Sequence, residues 1–201
     1  MSRGARPVAS LLLACIVGQG IAVAAPDAKS GAARTQLMRE MQIHKMPQLG
    51  LEIWTENEPP WETRVVTNGG QATLITESPP GYHPPTVMTY ASYQKERVPE
   101  NMLRVMAIGA IRRASLNFGL TEGQSRSINP AEASYGVLHG YEGVFYGKVG
   151  NQLLDVQIFV GQAANQFPVV LTIYTKKDKL QNLSEQRRRA WSKLNYLEKQ
   201  R

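Results

Sequence analysis

Apolar and polar positions along the chain change period several times, and each change marks a predicted element. From Leu51 onward the pattern is strand-like: Leu51 to Thr55 and Thr63 to Thr67 flank a loop containing Pro59-Pro60-Trp61. Asn68-Gly69-Gly70 is a tight-turn signal, because Asn and Gly adopt positive φ at little cost. It joins the second strand to a third at Ala72 to Glu77. Pro79-Pro80-Gly81-Tyr82-His83-Pro84-Pro85 lacks the N–H donors a strand needs and reads as a stiff loop before a fourth strand, Thr86 to Tyr93. From Pro99-Glu100 the period becomes helical. Leu103, Ala107, Ala110, Ile111, Ala114 and Phe118 form one apolar stripe, and Gly119 follows as the stop.

The second half returns to β. Tyr135 to His139, Tyr141 to Lys148, Leu153 to Val160 and Val169 to Thr175 have strand composition, with a turn at Gly150-Asn151. Polar and apolar residues alternate in Asp155-Val156-Gln157-Ile158, which predicts one face toward water. Ser184 is placed to cap a final helix with Trp191, Leu194 and Leu197 on its inner face. Ahead of all this, residues 25–33 read as a lead-in, and Thr35 as the cap of a short helix carrying Leu37, Met38 and Met41 and ending before Pro47. The domain plan is thus a leader over 1–24, a lead-in with a short helix over 25–47, and a single α+β domain over 48–201.

The first residues predict export. Arg3 and Arg6 precede an apolar stretch from Val8 to Val23, broken at Gly18, Gln19 and Gly20, and Ala22-Val23-Ala24 fits a small-x-small cleavage site. This is the pattern of a Sec-type signal peptide cleaved after Ala24, not of a membrane span. The competing reading is a lipobox at Leu12-Leu13-Ala14-Cys15, but the run before it is short and apolar character continues beyond it. Cleavage after Ala24 leaves 177 of 201 residues and removes Cys15, the one cysteine. A cysteine-free mature chain has no disulfide framework and no thiol chemistry. The address is therefore periplasmic or secreted.

Charge is segregated. Residues 176–201 hold nine Lys/Arg and three Asp/Glu, a net of +6, whereas residues 25–175 hold twelve and thirteen, a net of −1. The basic character belongs to the C-terminal helix and not to the body, which argues against nucleic acid as a partner.

The early strand pair around Pro60-Trp61, the helix beginning Pro99-Glu100, Gly140-Tyr141-Glu142-Gly143 leading a strand, and Val170 to Thr175 followed by the Trp191 helix together resemble the PsbP/DcrB-like superfamily. The resemblance is one of pattern over roughly residues 48–197. It implies an antiparallel sheet with flanking helices, an α+β sandwich. It also implies a non-enzymatic protein that binds other proteins, and it supplies no catalytic motif to carry over.

His44, His83 and His139 are isolated, so no metal site or cofactor is predicted. Ser92-Tyr93-Gln94-Lys95 matches Ser-x-x-Lys, but it ends a strand where that motif requires a helix start, and its companion elements are missing. Glu52, Glu56, Glu58 and Glu62 lie near Trp54 and Trp61, a grouping that a glycan hydrolase could use but that a solvated strand surface explains as well. Two surface features stand out as contacts. Tyr82 and His83 ride on a stiff loop that loses little entropy on binding. Arg187, Arg188 and Arg189 lie in the first turns of the last helix, where cations oppose the helix dipole, so helix stability does not explain them. The sequence therefore predicts an exported interaction protein for an envelope or secreted protein, of accessory or immunity type, with an anionic surface as a further possible contact. The alternatives are a cell-wall or glycan hydrolase acting through Glu52/Glu56 or Ser92, and a binder of a small lipidic ligand in an apolar cavity.

Overall fold

The computed structural model describes residues 41–57, 60–93 and 97–198. The leader with Cys15, most of the lead-in, Glu58 and Lys95 lie outside the described residues. The chain folds as ten strands and three helices among those residues. The strands are β1 (Met41–Met46), β2 (Leu51–Glu56), β3 (Glu62–Asn68), β4 (Gln71–Glu77), β5 (Thr86–Ser92), β6 (Ala131–Tyr135), β7 (Leu138–Val149), β8 (Gln152–Gln162), β9 (Val169–Lys176) and β10 (Asn195–Tyr196). The helices are α1 (Glu100–Asn117), α2 (Glu122–Arg126) and α3 (Ser184–Ser192), the last entered through a 3-10 turn at Leu180–Leu183.

Seven strands form one sheet in the order β3-β4-β5-β9-β8-β7-β6, and β1-β2-β10 form a second. Every pairing in both is antiparallel. This is an α+β fold. The centre of the large sheet is covered on both faces. On one side α1 lays Leu103, Ala107 and Ile111 against Tyr141, Phe145, Val156, Ile158 and Val160. Gly143 permits that approach, since a Cβ there would stand 3.0 Å from the Ile111 side chain. On the other side the small sheet and α3 bury Leu51, Ile53, Tyr90, Phe159, Leu171 and Trp191. Trp191 is fully buried and meets Tyr135 edge-on at 4.9 Å and Phe159 stacked at 6.2 Å. An indole of this size removes about 200 Å² from water, roughly 5 kcal/mol of gross stabilisation, and so clamps α3 to the sheet.

The α1 stripe, the Gly119 stop at φ +80° and the tight turn after Asn68 follow the sequence pattern. Four expectations are corrected. The short helix expected to run up to Pro47 is a strand where it can be described, because β1 pairs with β2 along its whole length, from Met41 opposite Glu56 to Met46 opposite Leu51. The terminal helix stops at Ser192, and Asn195-Tyr196 turn into a strand on β2. Ser184 makes no side-chain cap; the 3-10 turn feeds the helix instead. Finally, Asp155 and Gln157 do not face water, being 6% and 1% exposed. Every residue of β8 from Leu154 to Gln162 is buried, which marks a strand covered on both faces.

Candidate functional site

The proline-rich loop connects β4 to β5. Its Gly81 takes φ +90°, and the Tyr82 N–H donates to the Pro79 carbonyl at 3.1 Å, so the loop turns back over the protein. Tyr82 thereby lands edge-on against Trp61, with ring centres 5.4 Å apart, and its hydroxyl donates to Glu56 Oε2 at 3.1 Å. Burial and then the Glu56 charge push the Tyr82 phenol up to about 12, while the Gln186 amide and the Arg189 guanidinium pull the other way. His83 stays exposed beside it. Tyr82 is thus a half-buried brace between the loop, β2 and α3, and His83 is the part of the loop that faces solvent.

The three arginines of α3 divide by role. Arg188 is exposed and bonds Glu185 at 2.8 Å, a pair on the helix surface worth little. Arg189 is exposed and borders the Tyr82 brace. Arg187 turns inward and donates to Gln157 Oε1 on β8. Gln157 in turn donates to Glu142 Oε2 at 2.7 Å and to the Tyr135 hydroxyl at 3.2 Å, and Tyr135 donates to Glu142 Oε2 at 2.7 Å. Burial first, and then the bond to Glu142, push the Tyr135 phenol up to about 12. This network positions α3 rather than displaying a charge. Sequence reasoning missed Tyr135, Glu142 and Gln157. The available signal was a polar residue set into an apolar run that fills both faces of its strand.

The Tyr82 loop and α3, distant in sequence, therefore converge. Beside α3, next to the Trp61 and Glu56 side chains that Tyr82 contacts, lies a small cleft lined by Trp54, Glu56, Trp61, Tyr90, Gln186 and Arg189, with a cavity volume of about 10 Å³. The Trp61 indole N–H and Gln186 Oε1 are buried here and meet no hydrogen-bond partner among the described residues. A space of this size accommodates a group no larger than one water, not an acyl chain. These polar atoms lie beside exposed Arg189 and half-buried Glu56.

The residues considered for catalysis are tied elsewhere. The Ser92 hydroxyl donates to the Leu49 carbonyl at 2.7 Å at the end of β5, and Lys95 lies outside the described residues. Glu52 accepts from Trp54 Nε1 at 3.2 Å and from Asn195 Nδ2 at 3.3 Å, while Glu56 holds Tyr82. His44 bonds Thr55 Oγ1 at 2.7 Å, and His139 bonds Ser134 Oγ at 2.9 Å. Among the described residues no three His, Cys, Asp or Glu side chains group as metal ligands. No helix among them is long and apolar enough to cross a membrane.

The sequence matches no protein-family model and no curated protein. Among solved structures, a protein from Bacteroides thetaiotaomicron superposes with a TM-score of 0.54 at 7% identity. The match covers 81% of this chain and 50% of that one, so this chain spans about half the length of the protein it resembles. At this identity the likeness shows the fold alone. LpqN of Mycobacterium tuberculosis, a protein involved in cell envelope biogenesis, superposes more loosely, with a TM-score of 0.38 at 10% identity over 69% of this chain and 80% of that one.

Proposed function

We propose that this chain is an exported, non-enzymatic interaction protein of PsbP/DcrB-like type. It binds an envelope or secreted protein through the surface where the Tyr82 loop meets α3. The observation that carries the reading is that convergence. Tyr82 of the stiff loop and Gln186 and Arg189 of α3 come together beside an aromatic-lined cleft, and the surface is braced by Tyr82–Glu56 and by the Arg187 network. A braced surface binds without first paying to order itself. Arg188 and Arg189, exposed on α3, fit a partner with an acidic patch. The anchoring of Ser92, Glu52 and Glu56 in structural bonds supports recognition over hydrolysis. The size of the cleft favours a protein surface over a lipid.

The test is capture of partners from envelope and secreted fractions by the immobilised protein, beside the double variant Arg188→Glu, Arg189→Glu. Arg187 is left intact so that α3 keeps its anchor. The expected result is a captured protein whose retention falls at least tenfold in the variant and weakens with salt. Capture of nothing, or capture indifferent to both arginines, would overturn the reading. Export is checked by the mass of the secreted form, expected to begin at Ala25; a lipidated Cys15 would refute cleavage after Ala24.

A further inference from the structure

The large sheet has two edges, β3 and β6, and they differ in kind. β6 is five residues long, and the turn after it sets Tyr135 opposite Leu138. Alternation then aims Ala131, Ala133 and Tyr135 at β7 and leaves Glu132 and Ser134 pointing outward. A short edge bearing a charge resists pairing with another strand.

β3 is longer, and its charges, Glu62 and Arg64, do not fall among its outward-directed residues. It is seven residues long, every one of them exposed, with neither Pro nor Lys among them. Gly69 and Gly70, at φ +56° and +80°, form a two-residue turn that sets Asn68 opposite Gln71. The pair flanking such a turn is hydrogen-bonded, so Asn68, Val66, Arg64 and Glu62 direct their backbone groups at β4. The N–H of Trp61, which has the opposite parity, indeed points away from β4 and donates to the Glu56 carbonyl at 3.3 Å. Thr63, Val65 and Thr67 therefore present N–H and C=O groups outward, and among the described residues no backbone bond is made to them on that side.

This edge is complementary to itself. Placed antiparallel about a two-fold axis at Val65, Thr63 lies opposite Thr67 of a second copy and Val65 opposite the second copy's Val65. All three outward residues then fall in hydrogen-bonded pairs, each exchanging two bonds. The side chains on that face are all β-branched, which suits cross-strand packing. Charge does not oppose the pairing: Glu62 and Arg64 cancel within the strand, and Arg64 is held by Glu77 at 2.6 Å. We propose that the protein self-associates through β3, two copies joining their sheets edge to edge. Val65 and Val66, 45% and 42% exposed in the single chain, are partly covered in the pair. One strand buries less than the ~800 Å² per partner of a standard interface, so the dimer is weak, with a dissociation constant on the order of 10–100 µM.

The experiment uses the purified protein carrying Cys15→Ser. Sedimentation velocity from low to high micromolar concentration is expected to show a monomer–dimer equilibrium, weakened at least tenfold by Val65→Lys, which sets two lysines face to face. Oxidation of Val65→Cys is expected to give a disulfide-linked dimer, because paired Cα atoms about 5.5 Å apart lie within disulfide reach. Val66→Cys, which faces Arg64 of the second copy, should not cross-link. Circular dichroism confirms that each surface variant folds. A protein that stays monomeric throughout, or cross-links equally at both positions, overturns the proposal. This inference does not depend on the α3 surface.

Discussion

Asp155 offers the sharpest test of how α3 is held in place. Its Oδ1 accepts from the Asp178 N–H at 3.0 Å, and its Oδ2 accepts from Lys179 at 2.8 Å and Leu180 at 2.9 Å. One buried carboxylate thus ties down the loop between β9 and the 3-10 turn, where Asp178 takes φ +61°. Bonds to a charged acceptor contribute about 1.5–3 kcal/mol each. In Asp155→Ala the N–H groups of Asp178 and Lys179, on exposed residues, can recover water, but that of buried Leu180 is left unpaired. The expected net cost is about 3–5 kcal/mol. In Asp155→Asn one oxygen remains to accept, so about half that loss is expected. Urea unfolding followed by tryptophan fluorescence reads the difference: a midpoint lowered by roughly 2 M for Ala at unchanged slope, with Asn intermediate. A loss below about 1 kcal/mol for Ala, or identical losses for Ala and Asn, would refute the assignment of Asp155 as the anchor of this loop.

Two further predictions concern the site itself. Tyr82, Tyr135 and Tyr196 are each raised from 10.0 to about 12, in every case chiefly by burial. A phenol that keeps its proton longer when folded contributes stability fully present below pH ~10 and lost as pH rises toward ~12. The thermal midpoint should therefore fall across that window, and Tyr82→Phe should flatten part of the fall; an unchanged profile would count against the brace. Arg187→Ala should destabilise by about 1–3 kcal/mol, since it leaves Gln157 Oε1 unpaired in the interior, whereas Arg188→Ala should stay within about 0.5 kcal/mol. Equal effects in chemical unfolding would contradict the division of roles along α3.

What the sequence made legible was local. The stripe from Leu103 to Phe118 needs only a helix and one apolar neighbour, and Asn68-Gly69-Gly70 needs only the geometry of its own turn. What it hid was decided by pairing across the fold. Met41 to Met46 becomes a strand because β2 lies beside it, and Asn195-Tyr196 become one for the same reason. Gln157 looks solvated in a four-residue window and is buried because α3 covers that face. Of the contact features Tyr82-His83 and Arg187–Arg189, Tyr82 and Arg189 come together, while Tyr82 and Arg187 prove to be supports. No sequence spacing foretells which of three consecutive arginines turns inward, because the choice is made by Gln157, thirty positions away.

The pairing of β10 with β2 also sets an order of events. Asn195 and Glu52 are joined across 143 positions, so the small sheet lacks its last strand until nearly the whole chain is free to move. Until then Phe159, Leu171 and the other residues that Trp191 and its neighbours will cover lack part of their shelter. Contacts of such long separation are slow to form, and a chain waiting for them exposes a sticky face. A truncation of only the last few residues, those from Leu194 onward, should therefore cost the protein more in yield of folded chains than its small loss of area would suggest.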